Sequence, residues 1–262
     1  MRGTYIGEGK MLIHTTYNGK LIIPSDDNGI GPDLIIHGVY DPGLTKYFIN
    51  TIKPGDVVID IGANVGLFSI LAGYLVGNNG RVYCFEANKN IFKFLQDNIS
   101  MNWLRKTVFP INKAVYSKED TLSFTIDEKN PALSTLYKVD VWNKNVFQDT
   151  LIQVQVESVP LDFYYNQIDH IRLVKMDIEG AEYDAFIGME KFLTHNKIDS
   201  ISFEWNTPML QERTKPLLEL LKFYCKQGYW LFLMNVETGN LTPITVEELG
   251  RISHIPNVVM KK

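Results

Sequence analysis

Between Val57 and Glu86 the chain reads VVIDIGANVGLFSILAGYLVGNNGRVYCFE. An apolar run ends in a glycine-containing turn, a helix-length apolar stretch follows, and a second apolar run closes on an acid. Val57, Val58, Ile59 and Ile61 suit a strand buried on both faces, because near-continuous apolar runs mark parallel strands covered on each side. Asp60, Gly62, Ala63, Asn64 and Gly66 then form the turn at its carboxyl end, with Leu67 to Val76 as the first helix. Small residues in such a turn let the backbone approach a ligand, and ligands of open α/β sheets sit outside the carboxyl ends of the strands.

A dinucleotide loop needs a third glycine for close helix packing and a helix N-terminus facing a pyrophosphate. Counted from Gly62, the second and third glycine places hold Asn64 and Leu67, and Asp60 stands where a pyrophosphate would be repelled. S-adenosylmethionine fits better. It carries no phosphate, and its ammonium and sulfonium favour a nearby carboxylate such as Asp60. Glu86 and Ala87 close the second strand about twenty residues after the loop, where an acid accepts the ribose hydroxyls. The plainer alternative keeps both acids as strand-end caps.

The strand–helix alternation continues with Ile91, Leu95 and Ile99 at helical spacing and with apolar runs at Val108 to Asn112, Leu173 to Met176 and Ile201 to Phe203. A helix is expected from Ala181 to Leu193 and another from Thr214 to Lys226, with late strands at Trp230 to Met234 and Leu241 to Ile244. This is the pattern of a doubly wound α/β sheet in one domain, residues 1–262. Within it, residues 1–53 form an N-terminal hairpin and cap, and residues 54–262 form the catalytic core. The hairpin pairs Met11 to His14 with Leu21 to Ile23 across an Asn18-Gly19 turn. Between Asp127 and Thr150 no period is clear, and Tyr137, Trp142 and Phe147 either line a substrate cleft or anchor the loop to the core.

The net charge of −4 gives no reason to expect a nucleic-acid partner. Two cysteines, Cys84 and Cys225, form neither a metal signature nor a disulfide framework and read as packed thiols. The first residues lack a signal-peptide core and no apolar run is long enough to span a bilayer, so a cytoplasmic protein is expected.

Asp60-Ile-Gly-Ala-Asn-Val-Gly66, Phe85-Glu86-Ala87 and Lys175-Met-Asp-Ile-Glu-Gly-Ala-Glu182 together resemble the FkbM family of S-adenosylmethionine-dependent methyltransferases. The resemblance spans roughly Gly38 to Asn206, and its third motif is the most particular to the family. It implies a Rossmann-like, seven-stranded, mostly parallel sheet and methyl transfer to oxygen, often on sugars or other hydroxylated metabolites. Asp60, Gly62, Ala63, Asn64, Gly66, Glu86, Ala87, Ala114 and Asp177 are the cofactor-binding candidates, Ala114 lying where related folds surround the adenine.

A hydroxyl nucleophile needs a base or a metal to take up its proton. Asp177, at a central strand end, is the foremost catalytic candidate; Glu179 and Glu204 join it, while Glu182 reads as a helix cap. His37 is retained as a candidate base. Asp177, Glu204 and Asn206 offer oxygen donors for Mg²⁺ or another divalent ion, the alternative to a side-chain base. Two rival readings are a nicotinamide-dependent oxidoreductase, which Asp60 and the missing glycine oppose, and a non-catalytic S-adenosylmethionine-binding module. The acceptor is expected to be a small molecule or glycan, and the oligomeric state is left open.

Overall fold

The chain begins with β1 (Gly3–Gly7), β2 (Lys10–His14) and β3 (Lys20–Pro24), an antiparallel meander whose β2–β3 pair is the expected hairpin. The computed structural model describes residues 2–127, 135–136 and 151–262; Tyr137, Trp142 and Phe147, and the cleft read there, lie outside the described residues. Asn18, at φ 64°, supplies the left-handed residue the hairpin turn demands. The following Gly- and Asp-rich segment holds a helix the sequence pattern did not reveal, α1 (Gly31–His37). It starts where the Asp27 carboxylate accepts the backbone N–H groups of Gly29, Ile30 and Gly31. Next come α2 (Pro42–Thr51), β4 (Val57–Ile61), α3 (Leu67–Val76), β5 (Arg81–Phe85), α4 (Lys89–Met101) and β6 (Val108–Ile111).

Three strands, β7 (Ala114–Val115), β8 (Asp120–Asp127) and β9 (Leu151–Val159), then form a small sheet of their own in the order β7-β9-β8. The chain returns through β10 (Leu173–Met176), α5 (Glu182–Ile187), α6 (Glu190–Thr194), β11 (Ser200–Asn206), α7 (Thr207–Leu210) and α8 (Thr214–Lys226). It ends with β12 (Trp230–Met234), β13 (Leu241–Ile244), α9 (Val246–Leu249) and β14 (His254–Lys261).

The main sheet runs β13-β12-β14-β11-β10-β4-β5-β6. Its β11-β10-β4-β5-β6 core is parallel, and the pairings of β14 with β11 and β12, and of β12 with β13, are antiparallel. The doubly wound class is as read, with eight strands where the resemblance implied seven. The member the sequence pattern missed is β14, antiparallel to both its neighbours, whose apolar run Pro256 and Asn257 interrupt. The register shifts there: between the Phe203–Val258 and Trp205–Ile255 pairs, Glu204 alone faces Pro256 and Asn257. Proline is tolerated at such a bulge, where ladder hydrogen bonds lapse.

Side-chain alternation divides the core. Ile59, Ile61, Val174, Met176, Ile201, Phe203 and Trp205 face one apolar cluster with α5, α6 and α8. Val58, Val82 and Leu173 face the other, which α2, α3, α4 and the meander complete. On this second face the strand positions turn polar toward their carboxyl ends, at Asp60, Lys175, Ser202 and Glu204. That row is the floor of the site.

Candidate active site

The loop after β4 lies hard against the end of β10. Gly62, at φ +73°, has no room for a side chain, since a Cβ there would stand 1.9 Å from the Asp177 carbonyl oxygen. The N–H groups of Gly62 and Ala63 both donate to the Phe85 carbonyl, at 3.0 and 2.9 Å. Asn64 adopts φ 50° and its N–H donates to Glu86 Oε2 at 2.8 Å, while the Asn88 N–H donates to Glu86 Oε1 at 2.7 Å. These bonds fix the Glu86 carboxyl, and its burial pushes its pKa up to about 7. The Asn112 amide donates to the Glu86 and Ala87 carbonyls and fixes the end of β5.

Asp60 and Lys175 are register partners on β4 and β10, and so point to the same face. Asp60 is fully buried; its Oδ2 accepts from Ser69 Oγ at 2.6 Å and its Oδ1 lies 3.5 Å from Lys175 Nζ. Lys175 Nζ donates to the Gly62 carbonyl at 2.8 Å and stands 3.7 Å from Asp177 Oδ2. Burial opposes the charge of Lys175, but Asp60 and Asp177 outweigh it and hold the ammonium above its ordinary range. A buried cation thus ties the glycine loop to both acids.

The turn after β10 gathers acids. Glu179 takes a left-handed φ of 51°, and its carbonyl accepts from Thr135 Oγ1 at 2.7 Å, a tie from the small-sheet region. Asp177, Glu179 and Glu204 place carboxylate oxygens within 4.8 Å of one another. Burial, then mutual repulsion, raises the carboxyls of Glu179 and Glu204. Glu204 Oε1 accepts from His254 Nε2 at 2.9 Å and from Asn206 Nδ2 at 3.3 Å. Beneath them Glu182 is 1% exposed, and burial pushes its carboxyl up to about 8. Across the mouth, burial and the surrounding acids push the Tyr40 hydroxyl up to about 12.

These elements enclose a cavity of about 490 Å³ at the carboxyl ends of the central strands, within the roughly 300–1,000 Å³ of small-molecule sites. Gly62, Ala63, Asn64, Glu86, Ala87, Ala114, Asp177, Glu179 and Glu204 all line it. Four sequence candidates do not. Asp60 lies beneath the surface, beside Lys175. Gly66 turns into α3, where its missing side chain makes room for Leu95. Asn206 stands outside the wall and donates to Glu204, and His37 is exposed on the last turn of α1.

Sequence reasoning passed over His254, Asn257 and the cap residues Asn28 to Ile30 and Tyr40, which also line the cavity. His254 and Asn257 reach it only through the pairing of β14 with β11, which no local motif announces.

A glycine turn, a strand-end acid and a cavity at the carboxyl ends of parallel strands define a Rossmann-like domain for an adenosyl cofactor. The family model described as the methyltransferase FkbM domain matches residues 60–231, and the chain belongs to that family of S-adenosylmethionine-dependent methyltransferases. A curated relative, "Methyltransferase 1" of Beauveria bassiana (strain ARSEF 2860), is 26% identical over 147 residues, 51% of this chain and 58% of the relative. The chain therefore spans little more than half of that protein. Among solved structures, M. jannaschii TYW2 in complex with AdoMet is similar at 17% identity and a TM-score of 0.48, over 98% of this chain and 87% of that one. An rRNA methylase from Streptococcus thermophilus is similar at 11% identity and a TM-score of 0.46, over 86% and 98%.

Proposed function

We propose that this chain transfers a methyl group from S-adenosylmethionine to a hydroxyl oxygen of a sugar, glycan or related hydroxylated metabolite. The observation that carries the reading is the cavity itself, which joins an adenosine-type cradle to an acid-rich mouth. Glu86 stands for the ribose hydroxyls, Ala87 and Ala114 flank the adenine, and the Gly62 to Asn64 backbone with Asp177 receives the methionine end. The missing Cβ at Gly62 lets the glycine loop pack against the end of β10 and so sets the cradle's wall. When bound, the cofactor supplies an electrophilic methyl group on a sulfonium.

The chain's own residues align, neutralise and exclude. Lys175 holds the glycine loop and Asp177 in one geometry, which favours in-line approach of an oxygen. The cap walls the site through Asn28 to Ile30, Tyr40 and Leu44. The carboxyls at the mouth disfavour a phosphate-rich acceptor, in line with the net charge of −4.

The carboxylates at the mouth differ from the donor set expected for a divalent ion. Asp177 and Glu204 of the expected set cluster with Glu179, and two of these acids already face protein donors: Lys175 at Asp177, and His254 with Asn206 at Glu204. These contacts engage Glu204 Oε1 and face Asp177 Oδ2, and they leave Glu204 Oε2 buried without a hydrogen-bond partner among the described residues.

Titration with S-adenosylmethionine and with NAD, followed by an acceptor screen by mass spectrometry for an added methyl group, tests the reading. Micromolar S-adenosylmethionine binding and methylation of a hydroxylated acceptor are expected. NAD binding alone would replace the reading with the oxidoreductase, and S-adenosylmethionine binding without turnover on any acceptor would leave a binding module.

A further inference from the structure

We propose that His254 is the base that receives the acceptor's hydroxyl proton, and that Glu204 is the positioning residue that holds its ring. The inference rests on the methyl-transfer reading above and names the group that completes it. His254 lines the cavity at its acidic mouth, and the ring is half exposed, open to acceptor and solvent. Its Nε2 lies 2.9 Å from Glu204 Oε1, and the Glu204 side chain is only 13% exposed. Imidazole Nε2–H donating to that carboxylate leaves Nδ1 as the proton-accepting nitrogen, the orientation by a third group that acid–base pairs require.

The fold builds this pair on purpose-made backbone. The register shift between β11 and β14 sets Glu204 alone against Pro256 and Asn257, and Asn257 is itself held by Ser202 and Asp41. Bulges characteristically re-aim side chains beside active sites. The ionisable groups that line the cavity with the ring include Glu204, Asp177, Glu179 and Lys175 from the sheet side and Tyr40 and Asp41 from the cap. Glu179 and Tyr40 are raised toward their protonated forms, Asp177 is shared with Lys175, and Glu204, raised by burial, is drawn back toward the carboxylate by its bonds from His254 and Asn206. His254 is the remaining nitrogen base on this wall among the described residues.

The step balances in atoms and charge. The acceptor oxygen forms its bond to the methyl carbon as the carbon–sulfur bond breaks, and the sulfur keeps that electron pair and becomes a neutral thioether. The hydroxyl proton passes to His254 Nδ1. One positive charge leaves the sulfonium and one appears on the imidazolium, beside the Glu204 carboxylate that stabilises it. The half-exposed ring then returns the proton to water.

The test combines three readouts on the full chain. His254→Gln is expected to bind S-adenosylmethionine with unchanged affinity by calorimetry yet lose roughly 100- to 10,000-fold in turnover, with partial rescue of His254→Ala by added imidazole. Nitrogen-15 NMR of the ligand-free protein is expected to show the Nε2–H tautomer at His254, and Glu204→Gln is expected to disturb it. Turnover of His254→Gln within about threefold of the parent, or an Nδ1–H tautomer in the parent, overturns the inference while the methyl-transfer reading stands. A parent protein that binds S-adenosylmethionine but methylates no hydroxylated acceptor overturns both.

Discussion

Lys175 carries more of this site than its place in a motif reveals. It is 6% exposed and bonds the Gly62 carbonyl while facing Asp60 and Asp177, so three parts of the site depend on one ammonium. Lys175→Met leaves Asp60 charged in the interior with only Ser69 for a partner. Loss of one member of a buried pair costs about 3–5 kcal/mol, and urea unfolding should show a loss of that size. Adding Asp60→Asn should restore much of the stability but not the methyl-transfer rate, because the loop and Asp177 still lack their common anchor. The Asp60 position also shows what sequence can and cannot convey. An acid closing a buried strand was legible. Its depth was not, because Lys175 lies more than a hundred residues away and meets it only through strand register.

At the scale of elements, the end of β5 and the start of α5 hold acids whose burial reverses their ordinary behaviour. Glu86 is pushed up to about 7 and Glu182 to about 8 by burial, from an ordinary value of 4.5 that each regains on unfolding. Between about pH 4.5 and 8 the folded chain keeps protons that the unfolded chain has released, so stability falls as pH rises through this window. Urea midpoints should therefore be higher near pH 5 than near pH 8, and Glu182→Gln should flatten the slope.

The elements themselves were read well where one period held, as in α3, α4, β10 and α8. The expected single helix from Ala181 to Leu193 is instead broken at Gly188, whose missing Cβ lets the Tyr116 carbonyl approach. Asp162 then accepts the N–H groups of Lys191 and Phe192 to start α6. Both partners are remote in sequence, so the local pattern could only show an unbroken apolar face.

At the scale of the whole molecule, the question is whether the cap is an accessory or part of the fold. Ile13, Leu21, Ile23 and Leu34 share one apolar cluster with Val58, Val65 and Leu95 of the core. The joint is also hydrogen-bonded: Asn98, fully buried on α4, exchanges bonds with the Ile22 N–H and carbonyl and donates to the Val65 carbonyl. A cap so fused cannot melt alone without exposing core surface and orphaning buried backbone groups, each worth about 1–3 kcal/mol. Unfolding should accordingly be a single transition, coincident by tryptophan fluorescence and circular dichroism. Asn98→Ala should lower its midpoint and also weaken cofactor binding, since Asn28 to Ile30 of the cap wall the cavity. Saturating S-adenosylmethionine binds only the folded chain, and at a hundredfold excess over Kd it should add about 2.7 kcal/mol. That increment should appear as a shift of the one transition. A ligand-sensitive step separate from a ligand-insensitive one would mean that cap and core fold apart.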